Sequence, residues 1–219
     1  MCNGQNPLPQ TAAEAIAVQK RFAPRIETVD RFDKIETIAG IDVAFPCGGK
    51  VTRAAIQALS YPALEPIETA VIEQETRFPY IPGLLSFREA PSVLAALAEL
   101  KARPDLLMID GHGLAHPRRF GIACHVGLLA DIPAVGVAKS RLTGRHDDPK
   151  LRKGSRTALV GGEEVIGTVL RTRNGVKPVY VSVGHRVSLE TAVELTLACA
   201  TRYRLPEPTR LADKLSKTG

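Results

Sequence analysis

Apolar and polar positions along the first third of the chain predict one helix followed by antiparallel strands. Apolar residues at helical spacing in Thr11–Arg21 predict a helix that ends before Pro24. Thr37–Phe45 and Val51–Leu59 are apolar-rich segments on either side of a Gly-Gly turn, which indicates a β-hairpin. Partial alternation in the proline-bounded segment Ile67–Thr76 predicts a third strand. The sheet is therefore expected to begin as an antiparallel meander.

The middle of the chain alternates between helical and strand patterns. Helical spacing of leucine and valine predicts a helix over Ser92–Leu100 with Ser92 as its N-cap, and a second helix is predicted over Phe120–Ala130. A short apolar run that is typical of a buried strand follows each helix: Leu106–Ile109 follows the first and Ala134–Ala138 follows the second. Helices between buried strands indicate parallel crossover units.

The last third of the chain predicts a hairpin and a helix. Glu164–Thr172 and Lys177–Val183 read as strands around Asn174-Gly175, a dipeptide that favours a two-residue hairpin turn. Ser188 is a suitable N-cap for a helix over Ser188–Tyr203.

Two prolines, Pro206 and Pro208, follow this helix and predict an extended tail. No internal repeat, low-complexity tract or long linker interrupts the chain. The predicted fold is an α/β fold in a single domain spanning residues 1–219: an antiparallel meander followed by parallel units, with helices on both faces.

Composition narrows the class of protein. Apolar residues make up 44% of the 219 residues and charged residues 24%, as in an ordinary globular chain. No apolar run approaches the ~20 residues that cross a bilayer, and the N-terminus has no signal-peptide pattern. The cysteines form no C-x-x-C pair, which argues against a zinc site or a disulfide framework. They are Cys2, Cys47, Cys124 and Cys199. We expect a cytoplasmic protein without a membrane partner.

The charge balance favours a polyanionic partner. Lysine and arginine number 29 against 23 acidic residues, giving a formal charge of +6. Aromatic residues are only 5% of the chain and tryptophan is absent, which leaves little material for a broad base-stacking platform. Any stacking contact with a nucleic acid must therefore come from one or two positions.

Carboxylates stand where the apolar strands should be uncharged. Asp42 lies inside one predicted strand and Asp110 ends another, and an unpaired charge in either place would be costly. A salt bridge or a helix N-cap would satisfy them, and so would a divalent metal such as Mg²⁺, which prefers oxygen ligands. Glu89 is a third candidate carboxylate, and Lys139 ends the next strand as a cation at the same edge of the sheet.

Two loops have unusual sequences. In the segment from Pro79 to Gly83, two prolines stiffen the chain around Tyr80. This segment is either an ordinary tight loop or a wedge that enters a base stack. Directly after Asp110, Gly111-His112-Gly113 exposes backbone N–H groups that suit a phosphate or a base edge. His116 in the same loop is either a solvated side chain or a proton donor.

Several blocks of sequence together resemble the endonuclease V family, the deoxyinosine 3′ endonucleases. The blocks occur in the family's order from about residue 38 to residue 213. They are Ile41-Asp42-Val43, Pro79-Tyr80-Ile81-Pro82-Gly83 leading to Phe87-Arg88-Glu89, Asp110-Gly111-His112-Gly113 with His116-Pro117-Arg118, Gly136–Leu142, and Pro206–Arg210 with Asp213.

The resemblance implies an RNase H-like mixed sheet and a DNA repair endonuclease that recognises deoxyinosine. It implies hydrolysis of the second phosphodiester bond 3′ of the lesion, with Mg²⁺ as the cofactor and Mn²⁺ as a substitute. The implied partner is double- or single-stranded DNA that contains deoxyinosine, with inosine-containing RNA as an alternative, and the implied state is a monomer.

The resemblance also assigns roles by position. The implied catalytic residues are Asp42, Glu89, Asp110, His116, Lys139 and Asp213, of which Asp42, Glu89 and Asp110 would be the metal ligands. The implied wedge is Tyr80 with Pro79, Ile81 and Pro82, and the implied lesion pocket is the backbone around Gly83, Leu85, Gly111 and Ile122. Some relatives have histidine where this chain has Asp213; a carboxylate there would bind metal more readily than a histidine would, but could not serve as a cationic contact to phosphate.

Two other functions fit the same residues. An RNase H-like nuclease that recognises DNA structure would cleave inosine-containing and undamaged duplexes equally. A non-catalytic nucleic-acid-binding module would have no use for Asp42, Glu89 and Asp110, because clustered carboxylates without a metal repel one another and phosphate.

Overall fold

The computed structural model describes residues 9–218, and its centre is one eight-stranded mixed sheet. The strands are β1 (Thr37–Ala44), β2 (Val51–Ser60), β3 (Pro66–Glu75), β4 (Leu106–Ile109), β5 (Ala134–Ala138), β6 (Arg156–Gly161), β7 (Glu164–Leu170) and β8 (Val179–His185). The α-helices in the described residues are α1 (Ala12–Phe22), α2 (Ser86–Ala98), α3 (Ile122–Ala130), α4 (Leu189–Cys199) and α5 (Glu207–Lys217).

The sheet has the strand order β3-β2-β1-β4-β5-β8-β7-β6. Strands β1, β2 and β3 pair antiparallel, and β4 and β5 then run parallel to β1. This is the predicted RNase H-like arrangement of a meander followed by parallel units. Parallel pairing places the carboxyl ends of β1, β4 and β5 at one edge of the sheet.

Helices cover both faces of the sheet, as predicted. Ile41 and Ile109 lie in a core formed with α2 and α3, whereas Ile38 and Met108, on the opposite face, pack in a core with α4. Helix α5 crosses β1 at Gly40 so closely that an added Cβ would lie 1.9 Å from the Pro208 carbonyl oxygen. No helix in residues 9–218 has the length and apolar content needed to cross a membrane.

Helix α1 is confirmed and helix α2 begins earlier than predicted. Thr11 caps α1 through a capping box with Glu14. The prediction that Ser92 is an N-cap is wrong, because α2 begins at Ser86 and Ser92 is buried inside it, where its hydroxyl donates to Gln74 Oε1 at 3.2 Å. Pro91 lies within the helix, which is why the sequence pattern hides the first turn.

The predicted two-residue turn at Asn174-Gly175 is also wrong. β7 and β8 do pair antiparallel, but the loop between them spans residues 171–178. Arg171 is buried there, and its guanidinium donates to the carbonyls of Pro149 at 2.7 Å and Lys150 at 3.2 Å. The chain after β7 is therefore held by the loop that precedes β6, an edge strand that the sequence analysis did not find.

The C-terminal segment corrects two further predictions. Ser188 caps α4 as expected, but the helix ends at Cys199 and not at Tyr203. The residues after Pro206 form helix α5 and not an extended tail, because proline is well tolerated in the first turn of a helix, where its missing N–H would have no partner. Cys2 lies outside the described residues, and the other three cysteines are free thiols.

Candidate active site

Three charged residues lie at the carboxyl ends of the parallel strands. Asp42 is near the end of β1, Asp110 directly follows β4, and Lys139 directly follows β5. The Asp110 N–H donates to the Ile41 carbonyl at 2.9 Å, which continues the strand pairing and holds the two carboxylates side by side. The apolar strands therefore end in a charged cluster.

Helix α5 adds a third carboxylate to this cluster. One carboxylate oxygen each from Asp42, Asp110 and Asp213 lies within 4.8 Å of the others. Lys139 forms ion pairs with Asp110 and, at 2.5 Å, with Asp213, and Lys217 pairs with the second oxygen of Asp213 at 2.7 Å. Two lysines thus compensate Asp110 and Asp213.

Asp42 has less compensation than its two neighbours. It is 9% exposed, and the Ser216 hydroxyl donates to its Oδ2 at 2.5 Å. Burial raises the pKa of Asp42 to about 7, the negative charge of Asp110 adds to the rise, and the Ser216 hydrogen bond opposes it. The site therefore favours an additional positive charge next to Asp42.

Glu89 is not one of the three clustered carboxylates; it lies in the first turn of α2, close enough to Asp42 and Asp110 for their charges to act on it. Burial raises the pKa of Glu89 to about 8, and the charges of Asp42 and Asp110 add to the rise. Oxygen ligands of this kind, with excess negative charge, fit a divalent cation such as Mg²⁺.

Lys139 and Asp213, which form an ion pair with each other, differ from Asp42 in how their pKa values shift. Burial is the largest single influence on both Lys139 and Asp213 and opposes their charged forms, but the opposite charges around each outweigh it together: Asp110 and Asp213 around Lys139, and Lys139 and Lys217 around Asp213. The pKa of Lys139 is therefore raised and the pKa of Asp213 is lowered, so both remain charged at neutral pH.

A cavity of about 180 Å³ opens beside the carboxylates. Asp110 and Glu89 form part of its wall. The structure also brings to this cavity every residue of the implied lesion pocket: Gly83, Leu85, Gly111 and Ile122. His112, His116, Gly121, Ser86 and Leu142 complete the lining.

The proline-rich segment forms a tight turn at the mouth of this cavity. The Leu84 N–H donates to the Ile81 carbonyl at 2.9 Å, with Pro82 and Gly83 between them. Gly83 has a φ of +77°, which matches the third position of a type II turn with proline at the second. Pro79 and Pro82 are exposed and Tyr80 is 67% exposed, while Ile81 packs against a small core. The turn therefore projects an aromatic ring into solvent from a fixed base.

His116 is placed on this turn and not on the carboxylates. Its Nε2 lies 3.0 Å from the Gly83 carbonyl, and the Arg118 N–H donates to its Nδ1 at 3.2 Å. Because Nδ1 accepts, Nε2 carries the proton and donates to Gly83. Burial lowers the pKa of His116 to about 4, and the charge of Arg118 adds to this, so the ring is neutral.

Two contributors to the site lie outside every block of sequence that pointed to it. Ser216 contacts Asp42 from 174 positions away, and Gln19, from α1, donates to the carbonyl of Gly83 at 3.0 Å. Ser216 carries no signal in the sequence. Gln19 does carry one, because it is a polar residue on the buried face of α1, at helical spacing from Ala12 and Ala15, and a buried amide needs polar partners.

Comparisons with known proteins point to one family for the chain. The family model for endonuclease V matches residues 20–214. An endonuclease V from Roseiflexus castenholzii is 52% identical over 217 residues, covering 99% of this chain and 97% of that protein. One from Trichormus variabilis is 50% identical over 212 residues, covering 96% of each chain.

Solved structures give the same result. The crystal structure of endonuclease V from Streptomyces avermitilis matches with a TM-score of 0.91 at 44% identity, covering 96% of this chain and 93% of that chain. Endonuclease V from Ciona intestinalis, solved in complex with a 23-mer DNA that contains an inosine followed by a ribo-adenosine, matches with a TM-score of 0.81 at 28% identity, covering 94% and 95%. The extent of these matches shows that the chain belongs to the endonuclease V family.

Proposed function

We propose that this protein is a Mg²⁺-dependent endonuclease that cleaves DNA containing deoxyinosine, at the second phosphodiester bond 3′ of the lesion. The observation that carries the proposal is the shared wall between the cavity and the carboxylates: Asp110 and Glu89 line the same space as Gly83 and Gly111. A base held in this cavity would place its own strand next to the carboxylate cluster. The family membership and the inosine-containing DNA bound by the Ciona relative support this assignment.

The cavity suits one extruded base. At about 180 Å³ it is smaller than sites for drug-sized ligands, which run from ~300 to 1,000 Å³. Hypoxanthine differs from adenine in carrying O6 and an N1–H, so selection needs a donor and an acceptor. Leu85 and Gly121 are the N-cap residues of α2 and α3, and the first N–H groups of a helix have no partner within it. The N–H groups of Phe87, Arg88 and Ala123 already donate to protein carbonyls. The N–H groups of Ser86 and Ile122, at the first positions of α2 and α3 and in the cavity lining, are therefore the proposed donors for O6.

Tyr80 is the proposed wedge. Its ring is 67% exposed, and the neighbouring prolines and the Gly83 turn limit the motion of its backbone. A ring in this position can fill the space that an extruded base leaves in the stack, as inserted apolar side chains do in other DNA-distorting proteins.

Asp42, Asp110 and Glu89 are the proposed metal ligands, and Asp213 is close enough to add a fourth carboxylate. Bound Mg²⁺, or Mn²⁺ in its place, would polarise the phosphate and lower the pKa of a bound water. Lys139 holds Asp110 and Asp213 in fixed positions and reduces the negative charge that approaching DNA would meet. The Ser216 hydroxyl orients Asp42 from the α5 side.

A cleavage assay tests the proposal. Matched oligonucleotide duplexes with inosine or adenosine at one position, as DNA and as RNA, are incubated with Mg²⁺ and with a chelator. We expect cleavage of the inosine DNA alone, dependent on the metal, with product ends that map to the second bond 3′ of inosine. Equal cleavage of the adenosine duplex would favour a structure-specific nuclease. Binding without cleavage would favour a non-catalytic module, and preferential cleavage of the RNA would reassign the substrate.

A further inference from the structure

A single buried side chain from outside the cavity connects two segments that form parts of its wall. Gln19 lies in α1 and is 0% exposed. Its amide Nε2 donates one hydrogen to the Gly83 carbonyl at 3.0 Å and the other to the Phe120 carbonyl at 3.1 Å. Both hydrogens of one NH₂ group are therefore used, and they point to segments that are far apart in the sequence.

These two carbonyls belong to two segments that both reach the cavity. Gly83 lies in the turn that follows Tyr80 and lines the cavity. Phe120 directly precedes Gly121 and Ile122, which line the cavity from the start of α3. Because both hydrogens leave the same nitrogen, the distance between the two carbonyls is limited to what one amide can span.

The orientation of the amide is fixed by Arg118. The Nε of Arg118 donates to the Gln19 Oε1, so the oxygen must face the guanidinium and the NH₂ must face the two carbonyls. Arg118 also donates from Nη2 to the Gly83 carbonyl at 2.6 Å. With His116, three donors converge on this single carbonyl, which holds the turn against the rest of the protein.

We propose that Gln19 is a positioning residue that sets the separation of the two wall segments, at Gly83 and Phe120, and thereby contributes to selection of the lesion base. This inference rests on the proposed function and extends it to a residue that contacts neither the base nor the carboxylates. Widening the cavity would let its backbone donors and acceptors miss the polar edge of hypoxanthine, whereas the carboxylate cluster would stay in place.

Two variants separate the hydrogen bonds from simple packing. Gln19→Met keeps the length of the side chain and removes both polar groups. Gln19→Glu keeps the acceptor for Arg118 and removes the donors to Gly83 and Phe120. Glu14→Ala is the matched control, because Glu14 stabilises the same helix through its capping box and does not line the cavity.

The measurement is the ratio of affinities for inosine-containing and undamaged DNA, with the melting temperature recorded for each variant. We expect the ratio to fall about tenfold in Gln19→Met, the scale of a lost buried hydrogen bond, and at least as far in Gln19→Glu. Glu14→Ala should lower the melting temperature and keep the parental ratio. If Gln19→Met does not fold, Gln19→Glu carries the test, since it retains the bond with Arg118.

The outcomes distinguish this inference from the proposed function. A parent protein that binds both DNAs equally overturns the proposed function. A parent that prefers inosine, together with Gln19 variants that keep this preference, overturns only the role of Gln19. If the ratio falls in Gln19→Met but keeps its parental value in Gln19→Glu, then hydrogen-bond donation by the amide does not matter at this position. A fall of the ratio in Glu14→Ala would show that docking of α1 alone explains the effect.

Discussion

The contact between Gly111 and Ile122 offers a sharp test of the base pocket. A Cβ added to Gly111 would lie 2.4 Å from Ile122 Cγ2, well inside van der Waals contact. The φ angle of Gly111 lies outside the left-handed region, so Gly111→Ala introduces this contact without backbone strain. The isoleucine side chain must therefore move.

The direction of that movement sets the expected magnitude. Ile122 is 7% exposed and packs on its inner side in the core with Val126 and Ile109, so the open space is the cavity itself. If the side chain cannot move, overpacking costs ~1–3 kcal/mol of stability. If it turns into the cavity, the base loses polar contacts worth ~1–3 kcal/mol, which corresponds to roughly 5- to 150-fold in affinity. We expect the second result, with only a small change in melting temperature.

The assay compares binding and cleavage of inosine-containing and undamaged duplexes by the parent and by Gly111→Ala. Adding Ile122→Ala to the same chain removes Cγ2 and should recover part of the lost preference. Gly161→Ala is the control, since its Cβ would lie 2.8 Å from Ile166 Cδ1, a similar clash outside the cavity. Gly161→Ala should cost stability and leave the preference intact. Parental selectivity in Gly111→Ala at the parental melting temperature would place the base pocket elsewhere.

Three further predictions concern the carboxylates and the wedge. Asp110→Asn should reduce turnover by ~10²-fold or more in single-turnover cleavage while gel-shift binding of inosine DNA persists, and turnover within a few-fold of the parent would contradict its role. Tyr80→Ala should leave the melting temperature unchanged, because the ring is 67% exposed, and should reduce discrimination between inosine and normal DNA by ~1–3 kcal/mol; unchanged discrimination would make Tyr80 a structural residue only. The pKa of Asp42 is raised from 3.8 to about 7, so between pH 3.8 and about pH 7 the metal-free folded protein binds more protons than the unfolded chain. The contribution of Asp42 to folding stability therefore falls as the pH rises from 3.8 to about 7. Asp42→Asn should therefore stabilise the metal-free protein at about pH 8, by at most ~4 kcal/mol, and should not stabilise it below about pH 3. Thermal melts with and without Mg²⁺ check this. If Mg²⁺ raises the melting temperature of the parent no more than that of the variant, Asp42 is not a metal ligand.

The elements that the sequence predicts correctly are those fixed by local chemistry. The helix predicted over Thr11–Arg21 and the strands predicted over Leu106–Ile109 and Ala134–Ala138 depend mainly on neighbouring residues, and the structure has them as expected. The errors fall where distant residues decide. Arg171 donates to the carbonyls of Pro149 and Lys150 and to that of Val176 in its own loop, and the chain here forms a longer loop in place of the short turn that Asn174-Gly175 favours.

The sequence by itself determined that Asp42 lies inside an apolar strand, that Asp110 ends another, and that Lys139 ends a third strand at the same edge of the sheet as Asp110. Only the tertiary structure decided which other groups join them. Asp213 reaches the cluster because α5 packs directly on Gly40, where only hydrogen fits beneath the Pro208 carbonyl. Gln19 connects two segments of the cavity wall because a buried amide must pair with whichever carbonyls the fold places around it, 64 and 101 positions away. Periodicity reports which face of an element is buried, but the partners of a buried polar group depend on how the elements pack.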